Sequence, residues 1–367
     1  MYAVSTLLIT ATLAWPHPGF DAEDSHFNPH ETAITATTVG HLHQLWTAKL
    51  RDAEESCSGY SAPILGDNRL YATDKEGISA YDPATGDVLW RHTWDHADDN
   101  STPRMAVDGD TLILANGSCN SMSDPDGRLT ALDQRGHPRW QLDLDNPIDS
   151  VVVDKHVVLV SGTSPSDEDK VAAYRVRDGK LLWSQPGHAS SGVSADGLVP
   201  LISTNGYGQP AGATTAVDIT TGVIRWTRPL ALQVLAASPP ADRYYATDPT
   251  GVLVALNAST GATLWTRPGQ ETPLVATDGP HLYLAVDRKI TAVAAATGRA
   301  LWSRNLPAAA AQPVLAADLL YTGGPVLNAQ TGTPAGPTFS GAAVPAGGRL
   351  FQDTGSHLTA YIPLESG

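Results

Sequence analysis

The chain alternates short apolar, β-prone runs with glycine-containing turns. A representative stretch has a strand pattern at 69–74, a hairpin turn at 75–77, a strand pattern at 78–82 and a second turn at Thr85-Gly86. Short strands separated by turn signals every ~8–12 residues are typical of sandwiches, barrels and propellers. No long helical period is present. The pattern therefore predicts an all-β protein.

The segment 80–90, which runs from alanine through a glycine turn to tryptophan, recurs along the chain. In five of six copies the glycine stands at position 7 and the tryptophan at position 11, and the copy that begins at Ala131 is one residue shorter. A further unit keeps Gly332 but has Gly336 where tryptophan is expected. The glycine and tryptophan pairs are Gly86 and Trp90, Gly136 and Trp140, Gly179 and Trp183, Gly222 and Trp226, Gly261 and Trp265, and Gly298 and Trp302.

The turn glycines are spaced 34 to 50 residues apart, which is the period of propeller blades with four strands each. An eighth unit at 358–362 ends before its outer strand, and the β-prone segment 42–50 with Trp46 can supply it. We predict one closed propeller domain at 15–367 with four-stranded antiparallel blades, closed by the N-terminal strand. Eight blades are expected, or seven if the last two units merge.

The repeat residues have structural explanations. Glycine permits the positive φ of a tight hairpin. Tryptophan on an outer strand can pack between blades and donate its indole N–H. We therefore interpret the tryptophans as packing residues rather than as an aromatic ligand cage.

Composition narrows the partners and the compartment. The formal net charge is -15, which argues against nucleic acid and anionic membranes as partners. Residues 1–14 resemble a signal peptide or the remnant of one, although an ordinary first strand is the alternative. An exported chain would pair its two cysteines, Cys57 and Cys119, in a disulfide, whereas a cytosolic chain would keep two thiols. No stretch is long and apolar enough to predict a membrane span.

The pattern Ala-x-Asp-x-x-Thr-Gly-x-x-x-Trp, complete at 80–90 and 216–226, resembles the repeat of PQQ-like β-propellers, the quinoprotein alcohol dehydrogenase-like superfamily. The lead-in from Trp15 to Trp46 is also similar to the N-terminal segment of that superfamily. The resemblance implies the fold over 15–365. It leaves function open, because the repeat occurs in quinone-dependent enzymes and in non-enzymatic scaffolds similar to BamB.

The resemblance implies specific apparatus for the enzyme branch: a disulfide between adjacent cysteines, a calcium ion held by Glu and Asn, and an Asp base. This chain has no adjacent cysteines, and none of its residues can be matched to those ligands. We therefore assign no catalytic, cofactor-binding or metal-binding residue, and we do not expect pyrroloquinoline quinone.

Propeller topology places the second-to-third strand loops on the same face as the links between blades. Three such loops are long, at 116–128, 161–170 and 203–214, and two links are polar, at 51–60 and 95–102. Cys57 and Cys119 belong to this face, one blade apart, and we predict that they are bonded. Its acidic residues are Glu54, Glu55, Asp95, Asp98, Asp99, Asp124, Asp126, Asp167, Glu168 and Asp169.

These acidic loops are compatible with a binding face for a cationic partner, with a weak calcium site, or with a solvated surface. The segment 124–127 begins like a calcium loop but lacks the downstream acidic ligands. The histidine pairs His41 with His43 and His92 with His96 lack an evident third metal ligand.

Taken together, the sequence predicts a monomeric, exported, non-enzymatic scaffold that binds a protein or a cell-surface polymer through its acidic loop face. The alternative is a quinoprotein-type oxidoreductase, another enzyme or a small-ligand sensor that uses the central channel.

Overall fold

The computed structural model describes residues 13–120, 123, 125–164, 167–205, 209–269 and 271–364. Its strands form eight sheets, each built on four antiparallel strands, and one sheet carries a short fifth strand. The prediction of eight blades is therefore confirmed, and the seven-bladed alternative is wrong. Helical structure in the described residues is limited to the 3-10 turns Val39–His41 and Ala97–Asp99. No helix there is long and apolar enough to cross a membrane. Residues 1–12, which carry most of the predicted signal peptide, lie outside the described residues.

Each blade runs outward from a buried inner strand to an exposed outer strand. Blade one contains Ile64–Gly66, Arg69–Asp74, Gly77–Tyr81 and Val88–Thr93. Blade two contains Arg104–Asp108, Thr111–Gly117, Gly127–Leu132 and Pro138–Leu144. Blade three contains Ser150–Asp154, Val157–Gly162, Lys170–Arg175 and Leu181–Pro186. Blade four contains His188–Ser190, Leu198–Thr204, Pro210–Asp218 and Ile224–Arg228.

The second half of the ring repeats this order. Blade five contains Gln233–Ala237, Arg243–Thr247, Leu253–Asn257 and Thr263–Arg267. Blade six contains Leu274–Thr277, His281–Val286, Lys289–Ala294 and Ala300–Asn305. Blade seven contains Val314–Ala316, Leu319–Tyr321, Pro325–Asn328 and Pro334–Thr338. Blade eight contains Ala342–Ala346, Arg349–Asp353, His357–Pro363 and, from the N-terminal region, Leu42–Lys49.

Blade eight joins the two ends of the chain. The outer strand Leu42–Lys49 pairs antiparallel with His357–Pro363, and Trp46 lies opposite Ala360 as a repeat tryptophan lies opposite a repeat alanine. The predicted closure by the N-terminal strand is confirmed. The short strand Phe27–Asn28 also pairs in parallel with the inner strand of blade seven.

The hydrophobic core lies between neighbouring blades. One cluster, for example, combines Tyr245 and Leu253 of blade five with Val275 and Leu282 of blade six. Within a blade, Tyr245 also packs against Trp265, with ring centroids 6.2 Å apart. Each blade therefore buries its apolar faces only when both neighbours are in place.

Every repeat tryptophan docks on the turn glycine of the next blade. A Cβ added to Gly261, for example, would lie 2.7 Å from the ring of Trp226, so only a residue without a side chain fits there. Each indole N–H also donates to a backbone carbonyl of that next blade, at 2.8 to 3.2 Å. The docked pairs are Trp46 on Gly86, Trp90 on Gly136, Trp140 on Gly179, Trp183 on Gly222, Trp226 on Gly261, Trp265 on Gly298 and Trp302 on Gly332.

Blade seven lacks this tryptophan, and an N-terminal side chain packs in its place. A Cβ added to Gly336 would lie 2.7 Å from Cγ1 of Val39. Val39 begins the 3-10 turn that precedes the outer strand of blade eight, and it is fully buried. The N-terminal region therefore supplies both the last strand of the ring and the packing at its atypical blade.

Arginine adds a second contact at three junctions: between blades four and five, between blades five and six, and between blades six and seven. The pattern Trp-x-Arg occurs at 226–228, 265–267 and 302–304. Arg267 and Arg304 each donate to the carbonyl of the next turn glycine at 3.1 Å, and Arg228 donates to the carbonyl of Gly261. These contacts were not predicted above, although the spacing of arginine after tryptophan is visible in the sequence.

We expect Gly261→Ala to lower the free energy of unfolding by about 3 kcal/mol, measured by urea denaturation. The substitution combines backbone strain at φ +69° with a clash against Trp226. Gly109→Ala is the matched control, because its φ is +58° and no atom lies within 4 Å of an added Cβ. Strain alone should cost about 1 kcal/mol there. If Gly261→Ala and Gly109→Ala lower the free energy of unfolding equally, the docking contact does not contribute to stability.

Candidate functional site

The two faces of the propeller are built differently. The turn face carries the short first-to-second connections and the third-to-fourth turns that receive the tryptophans. There Asp82 and Asp218 accept backbone N–H bonds from their own turns, as Asp82 Oδ1 does from Ala84 at 2.7 Å. The loop face carries the links between blades and the second-to-third connections, including the longer ones between Gly117 and Gly127 and between Gly162 and Lys170. The loop face is therefore where the sequence is free of the docking constraint.

Residues 15–31, which we call the plug, cross the turn-face end of the central channel. Backbone N–H groups near the ends of several inner strands donate to plug carbonyls at 2.7 to 2.9 Å: Val107 to Pro16, Ala237 to Glu23, Thr277 to Ser25 and Leu315 to His26. Blade eight is bound through side chains, since Asn28 donates to the carbonyl of Pro345 and Glu31 accepts from the N–H of Gly348, both at 2.8 Å. The plug thus bonds to blades on all sides of the channel.

The plug carries half-buried ionisable side chains. Burial lowers the pKa of His17 to about 4 and raises the pKa of Asp21 to about 6. Burial, followed by repulsion from the Asp21 and Asp154 carboxylates, raises the pKa of Glu23 to about 8. The position of this lead-in segment in the channel was not predicted, because its residues show no strand period.

Above the plug, polar and apolar groups together line the part of the channel that we call the funnel. Two cavities of about 610 and 360 Å³ share Asp24, Asp149 and Ser150 in their linings. Arg104 and Gln233 also line them. The funnel thus contains a mixture of charged and amide groups above a closed floor.

The described residues do not fit the quinone and calcium apparatus that the resemblance implies for the enzyme branch. No group of three or more His, Cys, Asp or Glu side chains in the described parts of the chain is placed to hold a metal ion. The two cysteines are 62 residues apart rather than adjacent. We therefore derive no chemistry through that cofactor.

Cys57 and Cys119 form a disulfide across the loop face, with their Cα atoms 6.5 Å apart. Asp99 strengthens the same junction, because its Oδ1 accepts the backbone N–H groups of Cys119 and Asn120 at 3.1 and 3.0 Å. The side chain of Asn120 donates to the carbonyl of Asp98 at 2.7 Å. The links into blades one and two and the first long loop are consequently held together as one unit.

The predicted acidic residues differ in exposure. Asp99 and Asp167 are half-buried. Asp169 is fully buried and contributes no surface. Asp124 lies outside the described residues, so the calcium loop that would include it remains a prediction. The exposed members are Glu54, Glu55, Asp95, Asp98, Asp126 and Glu168.

The exposed acidic residues carry charge that the protein does not neutralise. No ion pair within the described residues involves Glu54, Glu55 or Asp95, whereas the neighbouring Asp52 is paired with Lys75 at 2.7 Å. Unpaired surface carboxylates concentrate negative potential on this side of blades one and two. We call Glu54, Glu55, Asp95 and Asp98 the acidic cluster.

The histidine pairs do not form a metal site in the described structure. His41 and His43 are exposed. His92 packs edge-on against Trp94, with centroids 5.4 Å apart, and burial lowers its pKa.

Comparison with known proteins agrees with this architecture. The profile of the family described as "Outer membrane protein assembly factor BamB" matches residues 31–149, 74–237 and 215–336. A protein of that name from Bordetella pertussis is 26% identical over 211 residues, covering 56% of this chain and 50% of its own length. Another from Yersinia pestis is 25% identical over 209 residues, covering 50% and 49%. The chain thus spans about half the length of the curated relatives that it matches.

Solved structures show the same fold at low identity. The quinohemoprotein alcohol dehydrogenase ADHIIG from Pseudomonas putida HK5 superposes with a TM-score of 0.69 at 13% identity, covering 96% of this chain and 81% of its own. BamB from Moraxella catarrhalis superposes with a TM-score of 0.50 at 16% identity, covering 88% and 99%. The predicted resemblance to PQQ-like propellers is confirmed.

Removing the disulfide should lower stability without opening the ring. For a bridge between residues 62 apart, chain entropy gives about 4 kcal/mol of stabilisation. We expect the Cys57→Ser/Cys119→Ser variant to lose about that much unfolding free energy in urea, with an unchanged far-UV circular dichroism spectrum. If the variant and the wild type have the same free energy of unfolding in urea, the disulfide does not restrain the unfolded chain and the prediction is wrong.

The plug should make stability depend on the charge of Glu23. Its pKa is about 8 in the folded protein and 4.5 for the ordinary side chain, so between these values the folded chain holds the extra proton. Stability from this group therefore falls as pH rises from about 4.5 to about 8. We expect Glu23→Gln to gain stability relative to wild type across that window, measured by urea denaturation. Exposed Glu55→Gln should show no comparable trend, and parallel curves for wild type and Glu23→Gln would contradict a buried carboxylate.

Proposed function

This chain belongs to the family described as outer membrane protein assembly factor BamB, and we propose that it is a non-enzymatic scaffold outside the cytoplasm that binds a protein partner through its loop face. The surface of the partner that binds this face is expected to be cationic, because the acidic cluster is negatively charged. The observation that supports the proposal most directly is the difference between the faces. On the turn face, the turns receive the tryptophans and the plug closes the channel. On the loop face, loops held by the disulfide and by hydrogen bonds expose unpaired acidic side chains.

Rigid presentation favours binding over a merely solvated surface. The disulfide, the Asp99 bonds and the Asn120 bond hold the acidic cluster in one arrangement. Less conformational entropy is lost on binding when a surface is already ordered. Complementary charge would raise the association rate and make it dependent on salt.

A location outside the cytoplasm is supported by the disulfide and by the family. Disulfides persist in oxidising compartments and are rare in the cytosol of most organisms. The curated relatives are named for the assembly of outer membrane proteins. The role proposed here is correspondingly assistance to the assembly or retention of exported proteins.

The acidic cluster should be required for the interaction. We expect Glu54→Gln/Glu55→Gln/Asp95→Asn/Asp98→Asn to weaken partner binding at least tenfold because it removes four unpaired charges. The measurement is photo-crosslinking in the producing cells, with a photoreactive residue at position 55, followed by titration of the identified partner. Binding by the wild type should also weaken as sodium chloride is raised from about 50 to about 500 mM.

The control removes the same charge from the turn face. It combines four exposed positions: Asp87→Asn, Asp110→Asn, Asp178→Asn and Asp196→Asn. Binding should persist in this variant, and a photoreactive residue at position 87 should give no adduct with the same partner. Equal loss in both variants would mean that net charge, and not the loop face, determines binding. Adducts only from position 87 would overturn the proposal.

A further inference from the structure

A separate cavity of about 400 Å³ lies on the loop face, at the seam where blade eight meets blade one. Its walls come from the link into blade one at 60–62, the link into blade eight at 340–342 and the loop at 353–355. Tyr60 borders it beside Gly355, where an added Cβ would lie 3.9 Å from the tyrosine ring. Among the described residues that line it, Tyr60 and Asp353 are the ionisable ones.

The Asp353 carboxylate is buried and only half satisfied. The residue is 7% exposed, and Oδ1 accepts the backbone N–H of Gly355 at 2.6 Å. Oδ2 has no hydrogen-bond partner, and no ion pair of the described residues involves this carboxylate. Asp353 belongs to the lining of the cavity. Burial raises the pKa of Asp353 to about 6.

The repeat does not require an acid at this position. Asp353 stands two residues beyond Phe351, which pairs with the repeat alanine Ala360. At the same register position blade one has Thr73, whose hydroxyl is satisfied by Ser61 at 3.0 Å. In six other blades where pairing defines this position, the residue is uncharged: Thr73, Ala115, Ser161, Ile202, Thr247 and Ala285.

A buried carboxylate without a cation destabilises the fold, whereas an uncharged residue serves six sister blades. Residues that break a local rule in this way concentrate at functional sites. A group that enters the cavity and donates a hydrogen bond to the carboxylate would offset this destabilisation. A hydrogen-bond donor that carries a positive charge fits such a carboxylate best.

We propose that this cavity binds an alkylammonium group, carried either by a lysine side chain of a protein partner or by a small amine. An ammonium supplies donors for the carboxylate oxygen, and the face of the Tyr60 ring attracts a cation. A metal ion is disfavoured because the lining offers a single carboxylate and no histidine or cysteine. The site goes beyond the proposed function, because it can bind an amine whether or not the acidic cluster binds a partner.

The probes are n-butylammonium chloride and Nα-acetyl-lysine methylamide, with butanol and the Nε-acetylated lysine derivative as uncharged counterparts. Binding to the full chain is followed by nuclear magnetic resonance titration. We expect saturable shifts around the cavity with the charged probes only. Asp353→Asn should weaken binding at least tenfold, as should Asp353→Thr, which installs the residue of blade one. Glu271→Gln, at an exposed position in the link between blades five and six on the same face, should bind like the wild type.

A measurement on the unaltered protein guards against variants that do not fold. The pKa of the Asp353 carboxyl, followed by carbon resonance, should fall when butylammonium is bound, because a cation favours the ionised form. Absence of saturable binding, an unchanged carboxyl pKa, or equal binding by Asp353→Asn would overturn the proposal. Tight binding of the lysine derivative but not of butylammonium would assign the site to a partner lysine, and the reverse preference to a small amine. The two proposals can be tested separately. If the acidic-cluster variant loses its protein partner but still binds the amine, the acidic cluster and the cavity act independently.

Discussion

The structure depends on the docking of a tryptophan from one blade onto the turn glycine of the next. The contact requires a glycine, because a Cβ would lie inside the indole ring's contact distance. It also orients the ring, because the indole N–H must reach a carbonyl of the neighbouring turn. Each blade therefore fixes the position of its neighbour, and the relation passes around the ring until Trp46, from the N-terminal region, docks on Gly86 of the first blade.

This interlock explains why the two faces differ. The turns that receive the tryptophans cannot lengthen without disturbing the contact, so the turn face stays compact. The N-terminal plug uses the same face to bond the inner strands together and closes the channel there. The connections on the loop face neither receive a tryptophan nor bond to the plug. Long loops, the disulfide and unpaired acidic side chains occur on that face.

The period and the residue pattern were sufficient to predict the all-β class, eight blades and closure by the strand around Trp46. They were sufficient because docking repeats the same residues at the same positions. The plug was not predictable in this way, since most contacts of residues 15–31 with the inner strands use backbone groups whose partners are set by the closed ring. The burial of Asp169 and the packing of Val39 on Gly336 likewise depend on contacts between segments distant in sequence. Asp353 is visible in the sequence, but its register among the blades becomes clear only from strand pairing.

The departures from the repeat gather at the junction of the chain ends. Blade seven replaces tryptophan with Gly336 and receives Val39, and blade eight takes its outer strand from the N-terminal region. Blade eight also replaces an uncharged residue with Asp353. The ring has one junction, which we call the seam, where the N-terminal strand pairs with the last blade. Residues at the seam need not make the same packing contacts as the equivalent residues of the other blades. That freedom permits a buried carboxylate whose partner is not part of the repeat, and it makes the seam the position in this ring where a binding site can arise with the least disturbance to the docking contacts.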